Sequence, residues 1–126
     1  MLCMAQSGRF ALALRVLVVL GAHPGAMLTS AVIGEELGVS PVMVRRSFLL
    51  LQKGGWIVQR KGPNGGAQLK VPAKQIGLGD LFKVTAGDWL VDEDAAVGAL
   101  LKKVRGAAVA AMNETSVAQV GKRLRR

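Results

Sequence analysis

Ser40-Pro41-Val42-Met43-Val44-Arg45-Arg46-Ser47-Phe48-Leu49-Leu50-Leu51-Gln52-Lys53-Gly54-Gly55 is the stretch on which the fold turns. Ser40 supplies an N-cap oxygen, and Pro41 falls in the first turn, where a missing N–H does no harm. Val42, Val44, Phe48, Leu49 and Leu51 give the helix its apolar spacing, and Gly54-Gly55 ends it. Just upstream, Thr29 or Ser30 can cap a short helix that ends near Leu37. Gly38 then stands where a left-handed backbone turns one helix sharply into the next. Helix, glycine turn, capped helix with two arginines is the grammar of a helix-turn-helix.

The residues that follow strengthen this reading. Trp56-Ile57-Val58-Gln59-Arg60 is β-rich, and Ala67-Gln68-Leu69-Lys70-Val71 alternates apolar with polar. Gly62-Pro63-Asn64-Gly65-Gly66 lies between them and holds an Asn-Gly step, which tolerates positive φ in hairpin turns. A hairpin directly after a helix-turn-helix is a wing, here with Arg60 and Lys61 on its stem. A nucleotide-binding loop is the competing reading. It fails because a Rossmann loop leads into a helix and a P-loop needs Lys-Ser/Thr after its last glycine; here Gly66 precedes Ala67 and a strand.

Working outward, Ser7 can cap a first helix from about Gly8 to Gly21, stopped by Gly21 and Pro24. Phe10, Leu14, Leu17 and Val18 mark one side, but Leu12, Val16 and Val19 make the remainder apolar too. A helix apolar all round needs cover on more than one side, and a second subunit is the expected second cover. Beyond the wing, Leu78 to Val84 forms a short helix with Leu78, Leu81 and Phe82 inward, and Ala86-Gly87-Asp88 forms a hinge. A long helix runs from about Asp92 to Met112, its acidic start suiting the helix dipole. Val97, Leu101, Val104, Ala108 and Ala111 are spaced as a heptad seam, which suits a symmetry mate, although packing onto the domain core is the plainer alternative. Thr115 or Ser116 caps a last helix with a basic end, Lys122-Arg123-Leu124-Arg125-Arg126.

The expected fold is therefore mainly α with a small β-hairpin wing, a winged helix-turn-helix plus a long C-terminal dimerisation helix. Residues 1–87 form the DNA-binding unit, and residues 88–126 the hinge, dimerisation helix and C-terminal helix. Charge agrees with this division. The 126 residues carry 17 Lys/Arg against 8 Asp/Glu, a net charge of +9. Between Glu36 and Asp80 there is no acidic residue, yet Arg45, Arg46, Lys53, Arg60, Lys61, Lys70 and Lys74 all fall there. An ordinary solvated face mixes both signs, so a one-sign stretch points to phosphates.

Other function classes are excluded or weakened. One cysteine cannot close an internal disulfide, and one histidine with one cysteine leaves no soft metal-ligand cluster. No catalytic constellation pairs a nucleophile with His23, so no enzyme is expected, and no cofactor or metal. The apolar run Leu12–Leu20 is interrupted by Arg15 and is far below the ~18 residues that span a bilayer, so neither a signal nor a membrane segment is read, and a cytoplasmic protein is expected. Cys3 is a conceivable redox thiol, and Trp89 could line an effector pocket at the hinge, although packing is its plainer role.

Taken together, these motifs resemble the winged helix-turn-helix repressors of the IscR, NsrR and CymR type, the Rrf-two family. The resemblance rests on Ser7-Gly8-Arg9-Phe10-Ala11-Leu12, on Ser40 to Arg46, on Gly55-Trp56-Ile57-Val58, on Arg60 to Gly66 with Leu69, and on Gln75 to Phe82. It implies a homodimer on a near-palindromic operator in double-stranded DNA, with the second helix of the motif in the major groove and the wing at the minor groove. Cluster-binding members hold iron–sulfur through three cysteines before the dimerisation helix. None stands there in this chain, so the cysteine-free branch is the nearer pattern, and the effector, small-molecule or redox, is left open. The candidate DNA-contacting residues are Arg9, Thr29, Ser40, Val42, Met43, Arg45, Arg46, Arg60, Lys61, Asn64 and Gly65. Of Arg45 and Arg46, one is expected to read a base edge and the other to hold phosphate, and Arg9 is a phosphate contact. The rival readings are a non-specific architectural nucleic-acid-binding protein and an adaptor that binds only protein.

Overall fold

The computed structural model describes residues 6–63 and 65–124, with side chains from Gly8 onward. Six helices and one hairpin follow in order: α1 (Gln6–Ala22), α2 (Ser30–Leu37), α3 (Pro41–Lys53), β1 (Ile57–Arg60), β2 (Gly66–Leu69), α4 (Leu78–Ala86), α5 (Ala95–Met112) and α6 (Val117–Leu124). A single 3-10 turn, Ala73–Gln75, lies between β2 and α4. This is the expected winged helix-turn-helix followed by a long helix. No helix among the described residues is long and apolar enough to cross a membrane.

Local chemistry sets the helix boundaries. α1 begins earlier than its cap signal, so Ser7 lies within the first turn rather than before it. Asp94 caps α5, its Oδ1 accepting from the backbone N–H groups of Ala96 and Val97 at 2.9 Å each. The acidic run at 92–94 is thus spent on fixing the start of α5, three residues later than the sequence suggests. Ser116 and Gln119 close a reciprocal capping box on α6: the Ser116 N–H donates to Gln119 Oε1 at 2.7 Å, and the Gln119 N–H to Ser116 Oγ at 3.3 Å.

α1 is the centre of the core. Leu12, Ala13, Val16, Leu17, Val19 and Leu20 are all buried within one chain. α3, α4 and α6 surround the helix, so the second cover expected from a partner is supplied internally. α6 returns the chain to α1: Val117 is buried and its N–H donates to Ile76 O at 2.9 Å. The reason lies in topology, because neither α4 nor α6 has its place against α1 written into the spacing of α1.

α5 is the opposite case. None of its residues is buried, and it leans on α4 through one flank only. Val97, Leu100 and Val104 are 43, 66 and 52% exposed, and Ala107 and Ala111 continue the same open stripe. Leu101 and Ala108, expected in the seam, are half-buried at its edge. Val97, Val104 and Ala111 are open as the seam requires, and only the two positions between them differ, with Leu100 and Ala107 exposed in place of Leu101 and Ala108.

Candidate nucleic-acid interface

The helix-turn-helix is built by two caps and one tight turn. Thr29 Oγ1 accepts from the Val32 N–H at 3.1 Å, and Ser40 Oγ accepts from the Met43 N–H at 3.3 Å. Gly38 adopts φ 71°, the left-handed conformation its place requires, and its N–H closes on Gly34 O. Gly34 is needed for closeness: a Cβ there would stand 2.6 Å from Val39 O. The turn therefore holds α3 at a fixed angle across α2.

α3 buries Val44, Ser47, Phe48 and Leu51 and turns the other face outward. Val42, Arg45, Arg46, Leu49 and Lys53 recur there at helical spacing, all exposed. Arg45 Nη1 donates to Ser30 Oγ at 3.2 Å, which steadies its guanidinium against the start of α2. Arg45, Arg46, Arg60 and Lys61 have no carboxylate within ion-pair distance among the described residues; the pairs seen there are Arg9–Asp88 and Lys83–Asp80. Exposed cations without a carboxylate partner attract a polyanion through charge alone, and an exposed helix face with arginines near its start can reach base edges.

The sequence counts Leu49 within the apolar spacing of the helix, yet it is 68% exposed, one turn beyond the arginines. Periodicity could have flagged it: Val44, Phe48 and Leu51 share one side, and Leu49 follows Val42 and Arg46 on the other. An apolar side chain on such a face can meet a thymine methyl. Val42, about two turns earlier on the same face, is 48% exposed, as an outward position requires.

The wing pairs Ile57 with Leu69, Val58 with Gln68, Gln59 with Ala67 and Arg60 with Gly66. It is tied back twice. A Gln59–Gln52 side-chain bond joins β1 to the end of α3. Leu28, just before α2, exchanges backbone bonds with Ala67 at 2.9 and 2.8 Å, adding a one-residue third strand that the sequence did not announce. Gly66, at φ 131°, permits this approach, since a Cβ would fall 2.4 Å from Leu28 O. Both ties join the wing to the helix-turn-helix.

Thr29, Ser40, Val42, Arg45, Arg46, Arg60 and Lys61 belong to this exposed surface, whereas Met43 is half-buried against the core. Asn64 lies outside the described residues. Two further expected residues are not brought to this surface. Gly65 is buried, with Arg60 O where its Cβ would be, so it closes the wing turn. Arg9 donates from Nε to Thr85 O at 3.1 Å and pairs with Asp88 at 3.5 Å, which ties α1 to the end of α4.

A family model described as Rrf2, Iron-dependent Transcriptional regulator, matches residues 6–123. Three solved structures are similar. CymR of Staphylococcus aureus is 24% identical with a TM-score of 0.69, over 90% of this chain and 94% of that one. CymR (YrzC), the global cysteine regulator of B. subtilis, is 20% identical with a TM-score of 0.71, over 97% and 98%. IscR of T. potens is 20% identical with a TM-score of 0.70, over 92% and 85%. Among curated proteins none matches. At these identities the structural likeness establishes the fold, and the family rests on the model match.

The iron in that description finds no fitting ligands at the hinge. Residues 88–94 hold no thiol or imidazole. Asp94 is spent on the α5 cap, and Asp92 Oδ1 accepts from the Asp94 N–H at 2.8 Å. No group of three or more His, Cys, Asp or Glu converges among the described residues, and Cys3 lies outside them.

Proposed function

The chain belongs to the Rrf2 family of transcriptional regulators, and from that premise we propose that it is a homodimeric, sequence-specific repressor acting on a near-palindromic operator. That it is a DNA-binding regulator and not an enzyme follows from the family. The finer reading is carried by one observation: α3 is held rigidly by its caps and core while Val42, Arg45, Arg46 and Leu49 stand outward with no acidic partner.

In this reading α3 lies in the major groove. One arginine meets a guanine edge and the other holds phosphate, and Arg60 and Lys61 place the wing by phosphate charge and groove width. Thr29 and Ser40 sit at helix starts, where backbone N–H groups also favour phosphate. Residues 1–87 hold DNA, and residues 88–126 provide the hinge and the dimerising helix. The open stripe Val97-Leu100-Val104-Ala107-Ala111 supports the dimer, because alanines near its end allow a symmetry mate to approach closely. Two copies would then present two α3 helices to half-sites about one helical turn apart, roughly 34–36 Å. The cytoplasm, where the chromosome lies, is the compartment this work calls for.

Selection of bound duplexes from a randomised pool, followed by footprinting, tests the reading. A repressor of this kind enriches one near-palindrome and protects it as a discrete site. Uniform coating of every duplex supports the architectural alternative, and no duplex binding at moderate salt supports a protein adaptor.

A further inference from the structure

A cavity of about 470 Å³ opens between α4 and α5, on the flank of α5 that faces α4 and away from its open apolar stripe. Phe82 and Val109 form an apolar wall, while Lys83, Lys102 and Arg105 bring cations to the same space, and no carboxylate lines it. Asp80 pairs with Lys83 at 3.7 Å and offsets part of its charge, so Lys102 and Arg105 carry the positive field. Phe82 is fixed by edge-to-face contacts with Phe10 at 5.9 Å and Trp89 at 5.8 Å. Arg105 is anchored too: its Nη1 donates to Leu90 O in the hinge, where Leu90 takes the left-handed φ of 59°. That bond uses one of the five guanidinium donors. Gly106 contributes room, since a Cβ there would meet nothing within 4 Å.

An apolar wall facing a pair of cations selects a ligand with an apolar body and an anionic end. The volume is of the size that small-molecule sites have, about 300–1,000 Å³. A carboxylate can take two parallel bonds from a guanidinium. Inorganic phosphate would leave Phe82 and Val109 uncovered.

We propose that the α4–α5 cavity binds a small organic acid, an aryl or short alkyl carboxylate, with its charge on Arg105 and Lys102 and its body against Phe82 and Val109. The acid touches both the last helix of the DNA-binding unit and the long helix beyond the hinge. Its binding does not rest on the operator reading; only its use as an effector does.

The test is calorimetric titration of the full chain, without DNA, with 1-naphthylacetate, 3-phenylpropionate and hexanoate, each beside its neutral amide. At least one acid should bind with a Kd of about 1 mM or tighter, and its amide at least about tenfold more weakly. Gly106→Leu fills the cavity while leaving glycine behind, a change that favours a helix; it should abolish binding with no fall in Tm. Lys102→Gln, at an exposed site, should weaken the acid about tenfold and leave the amide unchanged. Failure of all three acids, equal binding of acid and amide, or wild-type affinity in Gly106→Leu and Lys102→Gln would each overturn the assignment.

Discussion

α1 and α5 are both long, both rich in aliphatic residues, and both more apolar than a surface helix of a small domain should be. In the folded chain they part company. α1 buries six apolar side chains beneath α3, α4 and α6, whereas α5 buries none and shows Val97, Leu100 and Val104 to solvent. The difference teaches that an apolar circumference is not in itself evidence for a partner. What counts is whether the chain has other elements to place on it. Of the two helices, only α5 leaves a face that a second copy can cover.

The comparison breaks most visibly in α1. Leu17 is fully buried, so Leu17→Ala should cost about 2–5 kcal/mol of folding stability, the same at every protein concentration. Urea unfolding measures it, and a loss that shrinks as protein concentration rises would mean that α1 is completed by a partner after all. On α5 the change that matters is charge. Val104→Glu sets a carboxylate in the open stripe, where covering it unpaired by a second copy is strongly unfavourable. Sedimentation at micromolar concentration should show a dimer for the wild type and a monomer with unchanged helix content for the variant. A variant that remains dimeric would place the interface elsewhere.

Smaller effects sharpen the contrast between rigid placement and surface charge. Ser40→Ala removes the cap on α3 and should lower stability by about 1 kcal/mol, read from the urea midpoint. Lys61→Ala touches no core. It should weaken operator and random DNA almost equally and flatten the log–log salt dependence by about one unit. A loss confined to the operator would make the wing a reader of sequence.

The helix-turn-helix was legible because its signals are local. Ser40 with Pro41, Thr29, Gly38 and Gly54 act on backbone groups within a turn of themselves, so their effect needs no knowledge of the rest of the chain. Leu49 is counted within the apolar spacing because a run of three leucines covers most of a helix circumference, and only the neighbours decide which one faces out. Two positions of the α5 stripe differ from the expected seam for the same reason: Leu100-Leu101 and Ala107-Ala108 are adjacent apolar pairs, and heptad spacing fits either member. The Leu28–Ala67 bridge carries a single residue on one side, too short for alternation to register. Arg9 stands in the sequence as a phosphate contact at a helix start; its partners in the fold, Thr85 and Asp88, lie far along the chain and are brought to it only by tertiary structure.

The account turns on α3 as the reader of sequence, and competition titration of Arg45→Ala and Arg46→Ala against the selected operator and a scrambled duplex, at several salt concentrations, tests it most directly. For at least one of the two, the operator should lose about 1–3 kcal/mol more than the scrambled duplex, with the difference surviving higher salt. If both variants lose operator and scrambled DNA in parallel at every salt concentration, α3 does not read bases and the protein binds DNA by charge alone.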